Sequence, residues 1–141
     1  MVIQTHREPA TCVSSLCSLG YTFYRYESTS IDKIRIGEQT ANLNEIWLRR
    51  NIEFREKNPG VVYDVFYDSL VADPAGTVKQ IYTHFDLPWT SEYENALNSF
   101  INNNPKNKHG KHHYAASEYG LDEEEMTQRY KFYSDYVGLP E

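Results

Sequence analysis

The run Thr5-His6-Arg7-Glu8-Pro9, followed by Ser14-Ser15, places an arginine between a β-prone segment and a helix start. A guanidinium beside a helix N-terminus suits a phosphate, because the first amides lack intrahelical partners and the dipole end is positive. A planar fork of donors adds geometry to that charge. Ser15, two turns into the same helix, adds a hydroxyl donor. The alternative chemistry is plain: Arg7 joins a surface ion pair and Ser15 fills a small packing slot.

Two further segments carry reactive types. Val65-Phe66-Tyr67-Asp68-Ser69-Leu70-Val71-Ala72-Asp73-Pro74 ends a β-prone run on a tyrosine and leads into a helix start. Tyr67 by itself reads as a strand residue packed in the core with its hydroxyl satisfied. Lys106-Asn107-Lys108-His109-Gly110-Lys111-His112-His113-Tyr114 is a concentrated cation source in an otherwise acidic chain. Gly110 permits close backbone approach to a ligand. His109, His112 and His113 raise the question of a metal, but neighbouring lysines oppose a divalent cation, and a solvated loop without ligand is the simpler alternative.

These residues must be positioned by regular elements. Val2–His6 is strand-like, and Glu8-Pro9 starts a helix running to about Tyr24, since proline is favoured at the first helical position. A second helical region follows Ser30, with Gly37 expected to interrupt an early turn and Leu43, Trp47 and Phe54 as its apolar stripe. Lys57-Asn58-Pro59-Gly60 stops it. Residues 61–67 read as a strand, Asp73-Pro74 opens a helix with Val78, Ile81, Tyr82 and Phe85 on one face, and Leu87-Pro88 closes it. Ser91 and Glu94 are spaced as a capping box for a helix carrying Tyr93, Leu97, Phe100 and Ile101, closed by Pro105. Asp122 and Glu125 repeat that spacing before Met126, Tyr130, Tyr133 and Val137. Two strands joined by a helical crossover predict a parallel βαβ unit.

Composition limits the function. The 141 residues carry a formal charge of −6, from 14 Lys+Arg and 20 Asp+Glu, which argues against a nucleic-acid or membrane-surface binder. A small phosphorylated ligand in a local basic pocket remains compatible. Twelve tyrosines against six phenylalanines predict half-wet faces or a polar cleft. Cys12 and Cys17 lie five apart in a predicted helix, about 8 Å between Cα atoms and too far for an unstrained bridge. Reduced thiols, with Gln4, Thr5, His6 and Arg7 so close to Met1, lead us to expect a cytoplasmic chain without a secretory signal.

Thr-His-Arg-(Asp/Glu)-Pro after a strand, with a serine eight positions beyond the arginine, resembles the 3′-phosphate-binding segment of sulfotransferases that use 3′-phosphoadenosine 5′-phosphosulfate (PAPS). The passage through Tyr67 to Asp73-Pro74 is similar to that family's Tyr-Glu-Asp-Leu strand-to-helix step, with Asp68-Ser69 where Glu-Asp is usual. Lys108-His109-Gly110 looks like a variant of the family's late Arg-Lys-Gly stretch, in the style of its bacterial branch.

The resemblance implies an α/β fold: the C-terminal part of a P-loop-like sulfotransferase domain, few parallel strands flanked by many helices, as one partial domain over residues 1–141. It implies that Arg7 and Ser15 hold the 3′-phosphate, that Tyr67 lies against the adenine, and that Lys108, His109, Gly110 and Lys111 close over the nucleotide. Arg7, Ser15 and that loop should then surround one anion-sized pocket. PAPS is the implied donor, without metal, and the acceptor is a hydroxyl or amine. No Gly-x-x-x-x-Gly-Lys-Ser/Thr pattern or family equivalent of the phosphosulfate-gripping loop occurs in the 141 residues. No catalytic base is assigned, because His6, next to Arg7 on a strand, should point the other way. A free sheet edge is the expected route to a dimer. The alternative function is a non-catalytic helical interaction module.

Overall fold

The computed structural model describes residues 1–105 and 115–139. Its elements run β1 (Val2–His6), α1 (Pro9–Glu27), α2 (Lys33–Lys57), β2 (Val62–Phe66), α3 (Tyr67–Ala72), α4 (Pro74–His84), α5 (Ser91–Asn103), a short 3-10 helix (Ala116–Tyr119) and α6 (Glu123–Val137). β1 and β2 pair in parallel, from Val2 opposite Val62 to His6 opposite Phe66. The parallel crossover and the helix-rich, few-stranded architecture are those read from the sequence. The residues fall into two compact units: β1 with Gly60 onward through α5, and Arg7–Pro59 with the 3-10 helix and α6.

The helix starts follow local chemistry. Glu8 precedes Pro9 and its carboxylate accepts from the Ala10 amide at 3.2 Å. Asp32, Asp73 and Asp122 do the same at 3.1, 2.8 and 2.9 Å, each from the amide three residues on. Such side chains satisfy donors that the first helical turn leaves unpaired. At α5 the capping residue is Thr90, which accepts from Tyr93 N at 3.2 Å, not Ser91. Glu94 instead accepts from the Trp89 indole at 3.2 Å, so the expected box is displaced by one residue.

In the helical unit Ala10, Val13 and Cys17 of α1 and Ile36 and Ala41 of α2 meet Ala116, Tyr119, Leu121, Met126 and Tyr130. Tyr130, fully buried, donates to the Ala41 carbonyl at 3.0 Å. α2 departs from expectation twice. It runs unbroken through Gly37, and the stripe assigned to its inner face points outward: Leu43 is 44%, Trp47 51% and Phe54 44% exposed. The buried face is Ile36, Gly37, Ala41 and Asn44. Small residues face inward because the 3-10 helix crosses closely there. A Cβ on Gly37 would overlap the Tyr119 carbonyl oxygen.

In the strand-bearing unit α4 covers one face of β2. Tyr63 packs at a tilt against His84 (ring centroids 4.5 Å) and edge-on against Phe85 (5.9 Å). Tyr82, Trp89 and Tyr93 form a second aromatic cluster where α4 meets α5, with centroids 4.9 to 5.2 Å apart.

Candidate functional site

Arg7 is the first residue after β1, and Glu8 then turns the chain into α1. The Glu8 carboxylate does two jobs: Oε1 accepts from Ala10 N, and Oε2 accepts from the Ser134 hydroxyl of α6 at 3.4 Å. One of the amides that the sequence offered to a phosphate is therefore already bonded to the chain's own carboxylate.

Burial raises the Cys12 thiol pKa above its ordinary value, while Arg7 opposes that rise and Glu8 adds to it. Burial thus works against the Cys12 thiolate, the form in which a cysteine is reactive. Cys17 is likewise raised by burial, and both cysteines are free thiols.

Ser14 and Ser15 separate cleanly. Ser14 is buried and donates to the Ala10 carbonyl at 3.3 Å. Its hydroxyl is committed to the helix, as serines inside helices often are. Ser15 is half-buried on the neighbouring face.

Tyr67 is the first residue of α3 and not the last of the strand, and it is half-buried. The preceding Phe66 occupies the capping position of α3 without a side-chain cap. Asp68 lies in the first turn, where its charge complements the helix dipole. The middle of α3 is tied to α4 by Thr77, whose hydroxyl donates to the Ser69 carbonyl at 3.3 Å.

Lys108, His109, Gly110 and Lys111 lie outside the described residues, as does the rest of the basic loop, so the single pocket expected around Arg7 and Ser15 is not described. Two cavities among the described residues are lined elsewhere. One, of about 420 Å³, sits where α1 ends and α2 begins, beside Tyr24, Asp32, Arg35 and Gln39. The other, of about 510 Å³, lies between Tyr63 and the Lys79–His84 side of α4. Among the described residues no group of three or more His, Cys, Asp or Glu is arranged to hold a metal, and no helix is long and apolar enough to cross a membrane.

Sequence reading did not find the pair His6–Asp64. His6 is 1% exposed, and its Nε2 lies 2.8 Å from Asp64 Oδ1 on β2. An aspartate two residues after Val62, in an otherwise apolar strand, was the signal available.

The family model for the sulfotransferase family matches residues 1–91. The chain belongs to that family. The match covers the β1–α1 and β2–α3 passages, and hence Arg7, Ser15 and Tyr67. A solved structure, sulfotransferase STF9 from Mycobacterium avium, superposes with a TM-score of 0.83 at 23% identity, over 95% of this chain and 35% of that one. At that identity the likeness is one of fold. The chain spans about a third of the length of that sulfotransferase. None of the curated proteins matches its sequence.

Proposed function

We propose that the chain supplies the 3′-phosphoadenosine-binding part of a PAPS-dependent sulfotransferase, which moves a sulfuryl group from PAPS to an acceptor hydroxyl or amine. The observation that carries this reading is the family match over residues 1–91, which spans both strand-to-helix passages. In this reading Arg7 forms charge-assisted bonds to the 3′-phosphate, Ser15 adds its hydroxyl, Tyr67 lies against the adenine, and Lys108, His109, Gly110 and Lys111 close the far side. These contacts hold the nucleotide away from the reacting sulfur. Their binding energy serves catalysis by fixing the donor for in-line transfer. Sulfuryl transfer, like phosphoryl transfer, depends chiefly on positioning and on stabilising charge at the transferred group.

The chain so read is one partial domain over residues 1–141, acting in the cytoplasm. In this reading none of the assigned residues addresses the phosphosulfate end of the donor or takes the acceptor's proton. Calorimetric titration tests the reading. Adenosine 3′,5′-bisphosphate should bind more tightly than adenosine 5′-monophosphate, because the assigned residues address the 3′-phosphate. Equal affinities would refute it.

A further inference from the structure

The side chain of His6 is fully enclosed, and its 2.8 Å contact with Asp64 joins the two strands across the sheet. Asp64 stands opposite Gln4 in the register, two residues short of His6's own partner, Phe66. The contact therefore runs diagonally and ties the end of β1 to the body of β2. The His6 ring also packs on Phe66, with centroids 5.4 Å apart and planes tilted by 35°. Phe66 is the residue immediately before Tyr67.

Among the described residues the other α-helix starts are secured by a capping carboxylate or hydroxyl: Glu8, Asp32, Asp73, Thr90 and Asp122. The start of α3 has no such side chain. Six residues make it short, and a helix that short has little stability of its own. How firmly Phe66 is held therefore bears on the direction in which Tyr67 leaves the sheet. A fully enclosed imidazole that bonds a half-buried carboxylate and also packs its ring on Phe66 is well placed to hold it. Burying the His6 ring costs desolvation unless it finds a partner, and Asp64 is that partner.

We propose that His6 and Asp64 are positioning residues that set the placement of Tyr67. They act through Phe66 and touch no ligand themselves. The nucleotide consequence rests on the function proposed above; the placement of Tyr67 does not.

The test uses the full 141-residue chain and its His6→Ala, His6→Gln and Asp64→Ala variants. Amide resonances of Phe66, Tyr67 and Asp68 report placement, and titration with adenosine 3′,5′-bisphosphate reports binding. His6→Ala should shift the Tyr67 and Asp68 resonances while leaving Tyr93 of α5 unmoved. It should weaken the bisphosphate about tenfold, the scale of loss when a hydrogen bond that orients a binding residue is removed. His6→Gln, which keeps a polar group facing Asp64, should restore most of both. In a Tyr67→Ala background His6→Ala should cause no further loss of affinity, whereas a general weakening of the fold would simply add. If His6→Ala does not fold, Asp64→Ala removes the same contact from the partly exposed side and is read the same way. Unmoved Tyr67 resonances, or additive losses with Tyr67→Ala, overturn the proposal. A parent chain that binds no bisphosphate refutes the proposed function instead, and the resonances still decide whether His6 places Tyr67.

Discussion

Gly37→Ala and Gly20→Ala should move stability in opposite directions, although both glycines lie inside helices. Alanine in a helix interior gains about 1 kcal/mol over glycine, by restricting the unfolded chain and burying less bare backbone. At Gly20 the added Cβ would meet only Ile36 Cγ2 at 3.8 Å, an ordinary contact. That variant should keep the gain, up to about 1 kcal/mol. At Gly37 the Cβ would overlap the Tyr119 carbonyl oxygen and lie 3.0 Å from the Tyr119 carbonyl carbon and Cβ. The obstacle is backbone, on a residue only 3% exposed, so it cannot swing aside as a side-chain tip would. Overpacking costs about 1–3 kcal/mol, and backbone contact belongs at the upper end. Subtracting the propensity gain leaves a net loss of about 2 kcal/mol, with the upper end of that cost taken as 3. For a chain of this size that lowers the melting temperature by roughly 6–10 °C. Calorimetry and urea titration of the two variants beside the parent provide the measurement. A Gly37→Ala variant as stable as the parent would refute the close approach of α2 to the 3-10 helix, and with it the account of why small residues face inward there.

Arg7→Ala should weaken adenosine 3′,5′-bisphosphate by about 1.5–3 kcal/mol, the worth of a charge-assisted contact, and leave adenosine 5′-monophosphate little changed; calorimetry with both nucleotides checks this. Tyr130→Phe should cost about 1 kcal/mol in urea titration, since it removes one buried hydrogen bond to the Ala41 carbonyl without opening a cavity. Arg129, first, and Arg49 hold the Glu45 carboxyl below its ordinary range. A depressed folded-state pKa gives stability that is present above the unfolded value and is lost as pH falls through the folded one. Glu45→Gln should therefore flatten part of the acid side of the stability profile, below the usual carboxylate range, when melting temperature is followed against pH. In a radiolabelled sulfate-transfer assay the 141-residue chain alone should show no turnover, because the proposed contacts hold only the far end of the nucleotide; turnover would show that a donor-activating group lies among these residues.

The parts legible in the sequence are those whose physics is local. Glu8-Pro9, Asp73-Pro74 and Asp122 with Glu125 announce helix starts because a capping side chain reaches amides only two or three residues away. The strand–Arg7–helix passage is legible for the same reason, being one continuous stretch, and it is enough to point to the family. β1 and β2 follow from short β-prone runs, and their parallel pairing follows from the crossover between them. Tertiary structure decided the rest. α2 offers two candidate faces, and periodicity selects the larger residues, Leu43, Trp47 and Phe54. The chain instead buries Ile36, Gly37, Ala41 and Asn44, because α1, α6 and the 3-10 helix approach on that side. Gly37 reads in sequence as an interruption, whereas in the fold it is the space that Tyr119 needs. Tyr67 falls at the end of an apolar alternation, yet the ladder stops at Phe66, opposite His6, and the next residue turns into α3. The partnership of His6 with Asp64 spans 58 residues. Nothing local encodes it: the contact exists only once the two strands are aligned side by side.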